Sequence, residues 1–194
     1  MNPLLPTSLE GQLGSAKFMP ISFLILTYNS SSYIYSLLDS LIEKVGKEIQ
    51  DGEYEIVILD NASEDDTMKK IKEYFKKKEI KTLQIITSKI NLGYAKGINL
   101  AAKSASGEIL IVVNPDGKLI KANFKQVISE FKSNTKIAIA GMRLVDSYGI
   151  SEKTAGRFYN AFTFLLFTIG LEEIFGLRFA PSKFEQVDFV SGGF

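Results

Sequence analysis

Tyr54-Glu55-Ile56-Val57-Ile58-Leu59-Asp60-Asn61-Ala62-Ser63-Glu64-Asp65-Asp66 is the stretch from which the fold is read. Its apolar run lacks the strict alternation of a half-exposed strand, as expected where both faces of a sheet are covered. The run breaks at Asp60 into small polar residues. Beyond Asp65 the period changes: Met68, Ile71, Tyr74 and Phe75 make one apolar stripe, and Lys69, Lys70, Lys72, Lys76 and Lys77 fall mainly on the other faces. Ser63 followed three residues later by Asp66 predicts the helix start as an acidic variant of the capping box. Strand, polar turn and amphipathic helix together make half of a βαβ unit.

Working outward, Ile21–Leu26, Thr82–Thr87 and Glu108–Val113 read as strands of the same buried type. Phe124, Val127, Ile128 and Phe131 repeat at helical spacing after Asn123. Alternation of this kind implies right-handed crossovers and an α/β fold, a mixed, mostly parallel sheet with helices on both faces.

Composition narrows the chemistry. The chain has 194 residues, 45% of them hydrophobic and 23% charged, the balance of a globular protein of one ordinary domain. It has neither Cys nor His, which excludes disulfides, thiolate nucleophiles and histidine bases. Any metal is then a hard cation on oxygen ligands. A net charge of +1 gives no electrostatic case for nucleic acid, and the lysines after Asp65 read as a solvated helix face. Residues 1–19 lack the basic start and continuous apolar core of a secretory signal and are expected to be a flexible leader, so a cytoplasmic protein is the default.

Ligands of open parallel sheets bind outside the carboxyl ends of the strands. Each strand here runs into a polar cluster: Thr27-Tyr28-Asn29-Ser30, Asp60 to Asp65, Asn91-Leu92-Gly93-Tyr94, and Asn114-Pro115-Asp116-Gly117. One such cluster is an ordinary set of turn residues; four at four strand ends point to a binding edge. Asp60 is placed to accept from a base or ribose, and Asp116 to hold a divalent cation whose shell a diphosphate completes. Gly93 and Gly97 allow backbone to approach a ligand, or a helix to approach the sheet. No GxGxxG follows the first strand and no P-loop is present.

At these residues the chain resembles the family 2 glycosyltransferases of GT-A fold, most closely their rhamnosyltransferase-like branch. The similarity runs through Leu26 to Ser30, Val57 to Ser63, Asn91 to Asn99 and Gly107 to Asp116, in order, over residues 20–146 and more weakly to the end. The resemblance implies transfer of a sugar from a nucleoside-diphosphate-sugar donor to a glycan or lipid-linked acceptor, by inversion, with Mg²⁺ or Mn²⁺. It implies that Thr27, Tyr28, Asn29 and Asp60 lie around the nucleotide, with Asn61 and Ser63 shaping the turn beside it. Asn91, Gly93, Gly97 and Asn99 then frame the donor pocket. Asn114-Pro115-Asp116 takes the place of the family's DxD motif, leaving Asp116 as the metal carboxylate.

No residue matches the family's acidic base, which is expected beyond Phe194, so residues 20–194 read as a donor-binding domain truncated on its acceptor side. A nucleotide-sugar-binding module without catalysis is the alternative. A sugar nucleotidyltransferase is disfavoured, because no Gly-rich basic loop follows the first strand. The apolar stretch Ala161–Leu171 reads either as core that further chain covers or as a peripheral contact with a lipid-linked acceptor or the inner face of the membrane.

Overall fold

A computed structural model describes residues 19–76, 78, 80, 82–121, 123–158, 160–169 and 176–192. Residues 1–18 of the expected leader, and Leu171 at the end of the apolar stretch, lie outside the described residues. The chain divides into two compact units, Met1–Ala122 and Asn123–Phe194.

The first unit is built on β1 (Ile21–Thr27), α1 (Ile34–Gln50), β2 (Tyr54–Asp60), α2 (Thr67–Lys76), β3 (Leu83–Thr87), α3 (Tyr94–Ser104) and β4 (Ile109–Val113). The four strands form one parallel sheet in the order β3-β2-β1-β4. Right-handed crossovers put α1 and α2 on one face and α3, which runs back past β1, on the other. Side-chain alternation along the strands sorts the core accordingly. Leu24, Val57 and Leu59 pack with Ala101 of α3, and Leu26, Ile86 and Val112 join them. Phe23, Ile25, Ile56 and Ile58 point the opposite way and are fully buried, as are Ile34, Leu37, Leu38, Leu41 and Ile49 along the inner stripe of α1.

A charged residue is buried at the amino end of this sheet. Glu55 is 2% exposed, at the amino end of β2. Its Oε1 accepts from the Ser22 hydroxyl at 2.5 Å and from the Ser106 amide, and its Oε2 from Gln84 Nε2 at 3.3 Å. Ser22 Oγ in turn accepts from the Gly107 amide at 2.7 Å. Burial of the carboxylate is thus matched by donors from three other segments.

The second unit contains α4 (Phe124–Ser133), β5 (Ala155–Gly156), α5 (Ala161–Thr168), β6 (Arg178–Phe179) and β7 (Phe189–Val190). Asn123 caps α4, its side chain accepting from the Gln126 N–H. The three short strands form an antiparallel sheet, β6-β5-β7. The antiparallel component of the fold is therefore a separate sheet, and the large sheet is wholly parallel. Asn160 and Thr163 form a reciprocal capping box on α5. Phe162, Phe164, Leu165 and Phe167 of this helix are exposed. Among the described residues no helix is long and apolar enough to cross a membrane.

Candidate functional site

The parallel register brings the polar strand ends to one edge. Thr27 of β1 is level with Asp60 of β2, and Asp60 with Thr87 of β3; Val113, the last residue of β4, is level with Ile25. Strand order reverses between β1 and β4, because β2 and β3 are added on one side of β1 and β4 on the other. That reversal is the point where open α/β sheets leave a crevice for ligands. Tyr28 to Ser30 leave one side of it, and Asn114 to Gly117, closed by a Gly117 N–H to Asn114 carbonyl bond of 3.0 Å, leave the other. Asp60 and Asp116 therefore occupy the same edge.

Asp60 is 3% exposed. Its Oδ1 accepts from the Thr27 hydroxyl at 3.0 Å and the Ser63 hydroxyl at 2.5 Å, and its Oδ2 from the Ser63 amide at 3.1 Å. A carboxylate has about four lone-pair directions, so protein donors fill most of them and the acid holds the turn that follows β2. That turn passes through Ala62 at φ 66°, a left-handed conformation uncommon outside glycine and asparagine. Ser63 Oγ also accepts from the Asn29 amide at 3.0 Å, and Asn29 Oδ1 accepts from the Glu64 amide at 2.9 Å. The expected capping box of Ser63 and Asp66 does not form. Ser63 is engaged with Asp60 and Asn29, and the Thr67 amide at the start of α2 is met by Asp65 Oδ1 at 2.9 Å.

Asn61, also buried, ties in the next loop. Its Nδ2 donates to Asn91 Oδ1 at 2.9 Å and its Oδ1 accepts from the Leu92 amide at 2.8 Å. Asn91 Oδ1 accepts the Gly93 amide as well, at 2.8 Å. Gly93 has φ 74°, and a Cβ there would meet nothing within 4 Å; its turn opens the amino end of α3 to the site side.

The expected pocket residues divide between the edge and the helix body. Thr27, Tyr28, Asn29, Asp60, Asn61, Ser63, Asn91, Gly93, Asn114 and Asp116 lie at the strand ends and in the loops that follow them. Tyr28 presents about half its surface to solvent. Gly97 and Asn99 lie further down α3. Gly97 is buried, and a Cβ on it would come within 2.6 Å of Leu26 Cδ1, so its smallness serves the approach of α3 to the sheet. Asn99 is exposed and, two residues on, lies on the opposite face of the helix.

Among the described residues no group of three acids could cage a metal. The donor set at the β4 end is the exposed carboxylate of Asp116 with the Asn114 amide oxygen nearby in the turn. That set fits Mg²⁺ or Mn²⁺ only as part of a shell shared with phosphate oxygens.

The residues sequence reading passed over are those that join the loops, namely Thr67, Lys70 and the carboxylate of Asp65. The Asp65-Asp66-Thr67 pattern at the helix start was their available signal. In the second unit Asp188 immediately precedes β7, and its Oδ2 accepts from the Phe158 amide at 3.0 Å.

Comparison with known proteins agrees with this geometry. A family model described as glycosyl transferase family 2 matches residues 22–194. Poly(ribitol-phosphate) beta-N-acetylglucosaminyltransferase TarS of Staphylococcus aureus is 29% identical over 135 residues, covering 69% of this chain and 23% of TarS. The solved structure of S. aureus TarS with UDP-GlcNAc superposes with a TM-score of 0.51 at 29% identity, covering 59% of this chain and 32% of that one. Dolichyl-phosphate beta-glucosyltransferase of Dictyostelium discoideum is 26% identical over 143 residues, 69% of this chain and 43% of the relative. The chain thus spans less than half the length of these relatives.

Proposed function

The chain belongs to glycosyl transferase family 2, and we propose that it binds a nucleoside-diphosphate sugar at the carboxyl edge of the parallel sheet for transfer of the sugar to an acceptor. The observation that carries this reading is the convergence of four polar loops on the β1/β4 switch point, three of them joined through Asp60 and Asn61. The binding of UDP-GlcNAc by the structurally similar TarS supports a nucleotide-sugar ligand.

In this reading residues 20–194 form the donor-binding domain. The exposed ring of Tyr28 offers a face for the base, and the open amino end of α3 and the Asn114–Gly117 turn flank the diphosphate. Thr27, Asp60, Asn61 and Ser63 hold these groups in place, and Asn91 and Gly93 shape the sugar side. Gly97 serves the site indirectly, by letting α3 approach the sheet, while Asn99 lies on the outer face of that helix. Asp116, with Asn114, would hold Mg²⁺ or Mn²⁺ against the diphosphate; when bound, the cation offsets charge on the leaving group. Transfer is by inversion. The acceptor hydroxyl attacks the anomeric carbon opposite the departing diphosphate and gives its proton to an acidic base.

The similarity through Asn114-Pro115-Asp116 supports the rhamnosyltransferase-like branch. The exposed phenylalanines of α5 support a peripheral contact with a membrane face or lipid-linked acceptor in a cytoplasmic enzyme.

The test is titration of the purified chain with uridine, guanosine and deoxythymidine diphosphates by calorimetry. Saturable binding of one of them with Mn²⁺ present is expected. Absence of binding of all three at millimolar concentration overturns the proposal. Binding of nucleotide sugar without transfer identifies a binding module instead.

A further inference from the structure

The loops after β1 and β2 are joined residue by residue. Beyond the Asn29 contacts with Ser63 and Glu64, the Ser30 amide donates to Thr67 Oγ1 at 2.7 Å. Ser31 is held on both sides: its amide donates to Asp65 Oδ2 at 3.1 Å, and its carbonyl accepts from Lys70 Nζ at 2.8 Å. Asp65 is the hub. Its Oδ1 accepts both the amide and the hydroxyl of Thr67, at 2.9 and 2.5 Å.

A carboxylate has no proton to give, so the Thr67 hydroxyl must aim its hydrogen at Asp65 and turn a lone pair toward the Ser30 amide. One ionised acid thereby sets two consecutive amides of the neighbouring loop, Ser31 directly and Ser30 through Thr67. Asp65 is itself exposed, so these bonds, and not packing, are what it contributes. Burial works against its charge, but the hydrogen bonds from Thr67 and Ser31 outweigh that effect and hold the carboxyl well below the usual carboxylate range. Asn29, the residue before Ser30, sits at φ 48°, a conformation that persists where its surroundings over-determine it.

We propose that Asp65 is a positioning residue for the nucleotide: with Thr67 it fixes the β1–α1 backbone that carries Tyr28 and Asn29 into the donor site. The inference rests on the donor-site reading above for the identity of the ligand, and on the hydrogen-bond geometry alone for the clamp.

The experiment compares the wild-type chain with Asp65→Asn, Thr67→Val and Thr67→Ser, by amide exchange in NMR and by affinity for uridine diphosphate. In Asp65→Asn and Thr67→Val the Ser30 and Ser31 amides should exchange roughly tenfold faster, and affinity should fall by about the same factor. Amides of Phe23 and Ile25 in β1 should keep their wild-type protection. Thr67→Ser retains the hydroxyl and should restore both readouts. Unchanged exchange in the first two variants overturns the proposal, as does faster exchange with unchanged affinity. If the wild-type chain binds none of the uridine, guanosine and deoxythymidine diphosphates, the donor-site reading fails, and unchanged or accelerated exchange at Ser30 and Ser31 then decides the clamp by itself; if it binds another of the three, affinity is read with that one.

Discussion

Thr27 and Asp60 face one another across β1 and β2 as the last pair of that parallel ladder, and the Thr27 hydroxyl donates to the Asp60 carboxylate at 3.0 Å. The two strands are therefore locked together where their loops depart. The same carboxylate receives Ser63, so the direction in which the β2–α2 loop leaves is set by a residue still within the sheet.

Asp60→Asn replaces one acceptor oxygen by an NH₂ group that either faces the Ser63 amide donor or obliges the Thr27 and Ser63 hydroxyls to turn round and accept. Leaving a buried donor unpaired costs about 1–3 kcal/mol. The urea midpoint should fall accordingly, and affinity for uridine diphosphate should fall with it. A variant of wild-type stability would show that the Asp60 bonds contribute nothing net.

The Asp65 carboxyl, lowered by its hydrogen bonds from Thr67 and Ser31 against the opposing effect of burial, makes stability depend on acid in a defined direction. A group depressed in the folded state adds stability above its unfolded pKa of about 3.9, and that stability is lost as pH falls from there through the lower folded value. The stability difference between wild type and Asp65→Asn should be constant from pH 7 to about pH 5 and shrink at lower pH. Urea midpoints measured across that range check it. A difference already collapsing near pH 6 would contradict it.

Asp116→Ala removes the carboxylate of the Asn114–Gly117 turn, which is exposed and makes no contribution to the core. Folding stability without ligand should change by less than about 0.5 kcal/mol. The extra thermal shift that Mn²⁺ adds to that of uridine diphosphate should be lost. Equal metal-dependent shifts in variant and wild type would remove Asp116 from the metal role.

Gly107→Ala places a Cβ 2.6 Å from the Ser22 amide nitrogen and 2.7 Å from the Ile21 carbonyl carbon, both backbone atoms of β1. Relief requires the β4 entry to move off the sheet, which also strains the Ser22–Glu55 pair. A loss of at least about 1–3 kcal/mol is expected, read as a lowered urea midpoint. Unchanged stability would mean that the α3–β4 turn yields without cost.

Local pattern was enough for the elements themselves. The apolar runs ending at Thr27, Asp60, Thr87 and Val113, and the stripe Met68, Ile71, Tyr74 and Phe75, carry their own periods, because backbone geometry repeats every two or 3.6 residues whatever the partner. The same logic placed the polar clusters on one edge, since parallel strands must end together. Which side chain answers which was decided only by the tertiary structure. Ser63 reads locally as a helix cap, yet it serves Asp60 and Asn29. Lys70 reads as part of a solvated face, yet it reaches the Ser31 carbonyl. Glu55 is a lone charge in an otherwise apolar run, and donors from Ser22, Gln84 and Ser106 enclose it. Apart from the local bond of Ser63 to Asp60, each of these pairings joins segments that a crossover helix separates along the chain, so their partners are set by where that crossover returns, which periodicity within one segment does not encode.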